Sequence, residues 1–368
     1  MRQRQAPAAR HLCRRRSLFL GGFMIRIKDI AEKAGVSPTT VSNVIHGKTG
    51  RVSGETVEKI NRILEEMNYV PSISARMLAR EHSGLIGVVL GYTREGMSYA
   101  LEDPFIAELV GNLEYQIQEN GYYMMLVTRH QGRDLMEQIL GWNLEAMISI
   151  GLEEREIAKI RSRFSGPMAV IDGYCRLPEG VVNVRTDDWG GGYLMAKYLL
   201  KKGHRKLLFL TDNDHAVDHE RWLGVQAALE EEQVENVASS HILIAREPSE
   251  RKRQYQEMLP FLRKQSALFF ASDLYAVEAL NFLQDHGVRV PEEVSVAGFD
   301  DVSYAKLSRP ALTTVRQNVD EKARRAAQAV LKRMREEPAE AEYKVSTLLI
   351  ERESVSDRTD RSEISENI

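Results

Sequence analysis

From Leu85 onward, apolar runs of strand length alternate with segments of helix length, and that alternation leaves few folds open. LIGVVLG precedes a helix-length segment near 104–120, MMLVT one at 132–142 and AMISIG one at 153–164, and MAVID closes the series. A second series starts with VNVRTD and a helix over 188–202. It continues as LLFL, 218–232, HILI, 250–264, ALFFAS, 273–286 and VSVAGFD. Strands alternating with helices build parallel sheets covered on both faces. Two series imply an α/β body of two doubly wound parallel-sheet subdomains. Ligands bind such bodies in the cleft at the carboxyl ends of the strands.

The residues before this body have a helical period. Lys28–Ala34 forms a short helix closed by Gly35. Ser37 and Pro38 supply a cap and a first-position proline for a second helix, Thr39–His46. A third runs from Gly54 to Met67, with Ser53 as its cap. Ile30, Ala34, Val41, Val44, Ile45, Val57, Ile60 and Leu64 recur at helical spacing and can share one small core. A helix, a Gly35-Val36-Ser37 turn and a second helix have the spacing of a helix-turn-helix, an all-α headpiece whose second helix enters the major groove of DNA. The start of that helix offers Thr39, Thr40, Ser42 and Asn43, residue types that hydrogen-bond base edges. Spacing alone also fits a small helical bundle with a solvated Thr/Ser/Asn face.

Charge divides the chain in the same place. The net charge is -3, yet residues 1–80 hold 15 Lys/Arg against 6 Asp/Glu and the remainder 35 against 47. A basic end on an acidic body is expected of a polyanion-binding module joined to something else. The 368 residues need more than one core. Cys13 and Cys175 form neither a metal spacing nor a disulfide framework, which points to a reducing compartment, the cytoplasm. No apolar run reaches the roughly 18–20 residues that span a bilayer, so no membrane partner is expected. Residues 1–23 have three readings: an extension upstream of a true start at Met24, a disordered basic arm that adds phosphate affinity, or a targeting peptide.

IKDIAEKAGVSPTTVSNVIHG and RVSGETVEKINRILEEMNYVPSISARMLAR resemble the headpiece of the lac/gal repressor (LacI/GalR) family of transcriptional regulators. SGLIGVVL, DPFIAEL, DDWGGGYLMAKYLLKKGHRKL, RWLGV, VPEEVSVAGFDD and RPALTTVRQ continue the resemblance collinearly over about 25–355. It implies a sequence-specific, homodimeric, DNA-binding repressor. Its body is similar to periplasmic sugar-binding proteins and takes a small-molecule, sugar-like effector. Carried over by position, Thr39, Thr40 and Asn43 contact bases of a double-stranded operator, and Ser37, Ser42, His46, Ser53, Thr56 and Tyr69 contact its backbone. Ser72–Ala79 becomes a hinge helix too short to hold alone. There Leu78 wedges into the minor groove, with Arg76 and Arg80 near phosphate.

The same resemblance places effector contacts at Phe105, an apolar wall, and at Asp172, Arg221, Ser272 and Asp300. Carboxylates and a guanidinium fork suit a polyol. Asp273 is expected to cap the helix that it precedes. Two departures bear on the ligand. The loop YTREGMSYALE is longer than usual, and Arg246 stands where some relatives carry a stacking aromatic, which hints at an acidic or phosphorylated sugar. Two alternatives remain: a DNA-binding regulator that answers to a partner phosphoprotein, and a solute-binding protein.

Other clusters point to no chemistry. TDNDHAVDHE is rich in acids and histidines without a known metal spacing. Gly190-Gly191-Gly192 lacks the dinucleotide fingerprint, and Lys201, Lys202, His204, Arg205 and Lys206 read as a solvated turn. No nucleophile–base pair stands out, so no enzyme, cofactor or metal is expected. The expected divisions are 1–23, a headpiece over 24–70, a hinge and linker over 71–82, the sensing and dimerising body over 83–356 and a disordered tail over 357–368.

Overall fold

A computed structural model describes residues 25–69, 82–129, 134–235 and 237–359. They form two compact units separated between Glu81 and His82. In the first unit, α1 (Ile27–Ala34), α2 (Pro38–Ile45) and α3 (Gly54–Glu66) enclose a small core. Gly35 closes α1 at φ 69°, a left-handed conformation that side chains resist. Ser37 Oγ accepts the Thr40 amide at 3.1 Å, and Ser53 Oγ accepts that of Thr56 at 3.3 Å. Both expected caps are present. Ile30, Val41 and Ile60 are fully buried, and Ile45, Val57 and Leu64 pack around them partly covered.

The second unit contains two six-stranded sheets. The first is built from β1 (Leu85–Leu90), β2 (Tyr123–Thr128), β3 (Ala146–Ile150), β4 (Met168–Ile171), β5 (Val181–Thr186) and β11 (Glu342–Val345). Its order is β11-β5-β4-β3-β1-β2, parallel throughout. The second holds β6 (Leu207–Thr211), β7 (His241–Leu243), β8 (Ala267–Phe270), β9 (Ser295–Asp300), β10 (Thr313–Gln317) and β12 (Thr347–Ile350). Its order is β12-β10-β9-β8-β6-β7, and only β12 runs antiparallel to its neighbour. Helices α4 (Pro104–Glu119), α5 (Leu135–Gly141) and α6 (Glu154–Arg161) belong to the first series. Helices α7 (Asp188–Lys201), α8 (Ala216–Glu231), α9 (Pro248–Leu262), α10 (Asp273–Asp285) and α11 (Ser303–Leu307) belong to the second.

VNVRTD does not begin the second series. As β5 it pairs with β4, and Val182 and Val184 pack into the core of the first subdomain. The alternation of apolar and polar residues marks a strand but not the sheet it joins. The chain therefore crosses after Thr186. It returns after β10 into α12 (Val319–Met334), which packs on the first sheet and on α4, and it crosses a third time between β11 and β12. The three crossings are tied side by side. Thr186 Oγ1 donates to Gln317 Oε1 at 2.6 Å, the Asp187 amide to the Val345 carbonyl at 2.8 Å, and Lys344 Nζ lies 2.7 Å from Asp187 Oδ1.

After β12 the chain docks on the second subdomain, and Asp357–Thr359, the start of the tail expected to be disordered, is part of that docked segment. Ser354 is fully buried; its Oγ accepts the Thr313 amide at 2.8 Å and donates to the Val296 carbonyl at 2.5 Å. The Arg358 amide reaches the Lys202 carbonyl at 2.8 Å. Backbone pairing with β9 and β10 holds this polar sequence without an apolar stripe to announce it. It also covers His204, which is fully buried, contacts the Ser356 carbonyl at 3.0 Å and is no part of a solvated turn. Burial pushes that imidazole down to about 4.

Candidate functional site: headpiece face and inter-subdomain cleft

On the headpiece, Thr39 is exposed at the start of α2, and Ser42, Asn43 and His46 follow half-exposed. Thr39 and Asn43, four residues apart, share a face. The Thr40 hydroxyl is held 2.9 Å from Ser37 Oγ, and Thr56 Oγ1 lies 2.8 Å from Ser53 Oγ, so these four residues form two caps as well as an exposed polar rim. Tyr69 packs against the core, and burial raises its phenol pKa. Arg76 and Leu78, with the expected hinge helix, lie outside the described residues.

The body brings most of the expected effector residues to the crossing strands. Asp172 follows β4 at φ 54°, a left-handed turn that aims its carboxylate at the crossings. Its Oδ1 accepts the Thr186 amide at 3.2 Å, and Lys322 Nζ lies 3.0 and 2.7 Å from its two oxygens. Asp300 ends β9 from the other sheet at φ 119°, and its Oδ1 accepts from Gln317 Nε2 at 2.7 Å. Arg221 is 5% exposed. Its Nε donates to Asp188 Oδ1 at 2.8 Å, its terminal nitrogen to the Ala271 carbonyl at 2.5 Å, and the guanidinium lies 3.8 Å over the Phe299 ring. Asp218 and Asp300 stand 3.7 and 4.0 Å from the same guanidinium.

Arg221 among Asp188, Asp218 and Asp300 sets the electrostatics on this side. Burial pushes the Asp300 carboxyl up to about 7, with Arg221 and the Gln317 amide opposing. Burial likewise lifts Asp218 to about 6 against the pull of Arg221, and raises Asp188.

Ser272 caps α10 by its backbone alone. It is 6% exposed, and its Oγ has no hydrogen-bond partner. Asp273 is not that cap. Fully buried as the first residue of α10, it accepts from the Val302 amide at 2.9 Å and the Thr314 hydroxyl at 2.5 Å, bracing β10 and the turn after β9. Phe105 is half-buried beneath Lys322, whose ammonium lies 5.2 Å from the ring centroid, so that face is already covered. Arg246 is exposed; its Nε donates to the Asp212 carbonyl at 3.3 Å and lies 3.9 Å from the carboxylate.

The long loop after β1 crosses to the second subdomain. Arg94 Nε donates to Asp103 at 2.9 Å and its guanidinium lies 5.0 Å over the ring of Tyr275, whose hydroxyl donates to Asp212 at 2.8 Å. Gly96 (φ 84°) sits so close to Pro248 that a Cβ would displace it. Tyr92 keeps 42% of its surface accessible. Burial pushes its phenol pKa upward, with Arg94 opposing and Asp103, Asp300 and Asp172 adding to the rise.

Sequence reasoning missed Tyr92, Arg94, Asp188, Gln317 and Lys322. Asp188 and Gln317 lie in stretches that carry the family resemblance. Lys322 had its own signal, since it falls in line with Val319, Ala326 and Ala329 on the buried face of α12.

The acidic loop after β6 is bonded within itself: Asn213 Nδ2 donates to Asp212 and Asp218 at 2.7 and 2.6 Å, and His219 Nδ1 lies 2.8 Å from Asp214. Among the described residues no group of three His, Cys, Asp or Glu is placed to hold a metal, and no helix is long and apolar enough to cross a membrane.

Comparison with known proteins agrees with this division. A family model described as bacterial regulatory proteins of the lacI family matches residues 26–72, and a periplasmic binding protein-like domain matches 196–355. The HTH-type transcriptional repressor PurR of Erwinia tasmaniensis is 30% identical over 345 residues, 91% of this chain and 98% of that protein. Among solved structures, a transcriptional regulator CelR–cellobiose complex is 27% identical with a TM-score of 0.67. The lac repressor dimer bound to operator and the anti-inducer ONPF is 21% identical with a TM-score of 0.76. Each of the two covers 90% of this chain and 99% of its own.

Proposed function

This chain belongs to the LacI family of bacterial regulatory proteins, and on that premise we propose that it is a homodimeric transcriptional repressor whose hold on a DNA operator is set by a small molecule in the body's cleft. It reads bases with Thr39, Thr40 and Asn43, and it acts where the chromosome lies, in the cytoplasm. The observation that carries the effector half of this reading is Ser272. A buried hydroxyl without a partner is costly, about 1–3 kcal/mol, and this one stands at a strand end beside the carbonyl of Ala271, which Arg221 holds. A ligand hydroxyl relieves it.

The ligand is an uncharged polyhydroxy compound. Asp172, Arg221 and Asp300 grip it from both subdomains. Arg246 argues less for an acidic or phosphorylated sugar than its charge suggests, because it leans on Asp212. The chain works by binding and has no catalytic role. Thermal-shift screening of the full chain against neutral sugars and sugar phosphates tests the reading. Stabilisation by a neutral sugar, lost in Ser272→Ala, is expected; stabilisation by phosphates alone contradicts it.

A further inference from the structure

Lys322 is fully buried, on a helix whose neighbouring buried positions are alanine and valine. Burying an ammonium costs several kcal/mol unless its protons are all met, and an apolar side chain at the same place is often as stable or more so. Here two acceptor groups and an aromatic ring meet it: one proton is shared between the two Asp172 oxygens, another goes to Gln317, and the Phe105 ring centroid lies 5.2 Å away. Nζ lies 3.0 and 2.7 Å from the Asp172 oxygens and 2.8 Å from Gln317 Oε1.

An ammonium only donates, so it fixes which end of the Gln317 amide faces it. The carbonyl oxygen takes the Lys322 proton and that of Thr186 at 2.6 Å, which leaves the NH2 to donate to Asp300 at 2.7 Å. A directed chain of bonds, Asp172–Lys322–Gln317–Asp300, therefore runs from the first subdomain to the second along a crossing strand.

We propose that Lys322 is a positioning residue of the effector cleft: through the Gln317 amide it locks the carboxylates of Asp172 and Asp300 into one hydrogen-bonded unit spanning the two subdomains. A ligand that draws on either carboxylate then shifts the other, which gives the cleft its two-subdomain response. This rests on the effector reading above, but its test needs no ligand.

The full chain labelled with 15N-lysine carries the test. An ammonium held by a carboxylate and an amide oxygen, with no solvent contact, exchanges slowly and gives a resolved signal. That signal is expected in the native chain, absent from Lys322→Met, displaced by Asp300→Asn and undisturbed by Asp214→Asn. A signal that Asp300→Asn leaves in place, or no slowly exchanging ammonium at all, overturns the proposal.

If Lys322→Met does not fold, the double variant with Asp172→Asn leaves neither charge unpaired. Its amide exchange at 300–302 should rise about tenfold, although both changes lie in the first subdomain. Unchanged exchange there also overturns the proposal. Failure of the effector reading alone would appear as a cleft that binds no ligand while these signals stay as expected.

Discussion

The hydroxyl of Thr186 donates to the side-chain oxygen of Gln317 at 2.6 Å, and both residues stand where the chain passes between subdomains. Two of the three crossing strands are thus joined side by side. Thr186→Val keeps the shape and removes one buried hydrogen bond, while Lys322 still serves the Gln317 oxygen. Urea denaturation should show a loss of about 1 kcal/mol. A loss near zero would mean that this bond does not hold the crossing.

Ser272 separates stability from binding. Its Oγ is buried without a partner, so Ser272→Ala removes an unmet polar group and leaves a methyl. The melting temperature should stay level or rise, while ligand affinity measured by calorimetry falls about tenfold, or roughly 1.4 kcal/mol. A fall in both would make the hydroxyl an ordinary packing element.

The raised carboxyls predict the direction of pH dependence. Asp300 and Asp218 hold protons more tightly in the folded chain, at about 7 and about 6, than in the unfolded chain, near 3.8. Their contribution to stability is therefore fully present below the ordinary carboxylate range and lost as pH rises through 6 and 7. Asp300→Asn removes the larger share. Melting temperatures followed from about pH 4.5 to 7.5 should fall less steeply in Asp300→Asn than in the parent. Parallel curves would place the Asp300 carboxyl outside this transition.

On the headpiece, Thr39→Ala and Asn43→Ala should each cost about 1–3 kcal/mol at particular base pairs rather than uniformly. Competition binding with single-base operator variants reads this out. Even weakening across all variants would assign these side chains to the backbone.

The fold was legible where period and punctuation coincide. Gly35, Ser37-Pro38 and Ser53 bound the headpiece helices at or within a residue of the expected places, because each marks a backbone geometry that few residues tolerate. The strand–helix alternation likewise marked β1 to β9, but it did not reach β10, β11 and β12. What it could not mark was sheet membership: β5 reads alike in either subdomain, and only its pairing with β4 decides. The docking of Asp357–Thr359 was illegible because bonds to backbone carbonyls, not an apolar pattern, hold it. Asp172, Arg221 and Asp300 were named from the family resemblance, and the structure brings them to the same crossings. Lys322 was missed because a charged residue on a helix reads as solvent-facing until its partners across 150 and 5 residues are seen.

The most direct test of the central claim is the affinity of the full chain for an operator selected from random duplexes, measured by fluorescence anisotropy with and without the sugar found by thermal shift. The operator should be two-fold symmetric, as a dimer requires, with binding that weakens steeply as salt rises. The sugar should change the affinity of the parent at least about tenfold, and should leave Asp300→Asn within a factor of about two, because a ligand moves DNA affinity only through differential binding to two states of the body. An equal change in both proteins, or a bound sugar that changes neither, would contradict the claim that this cleft controls the hold on DNA.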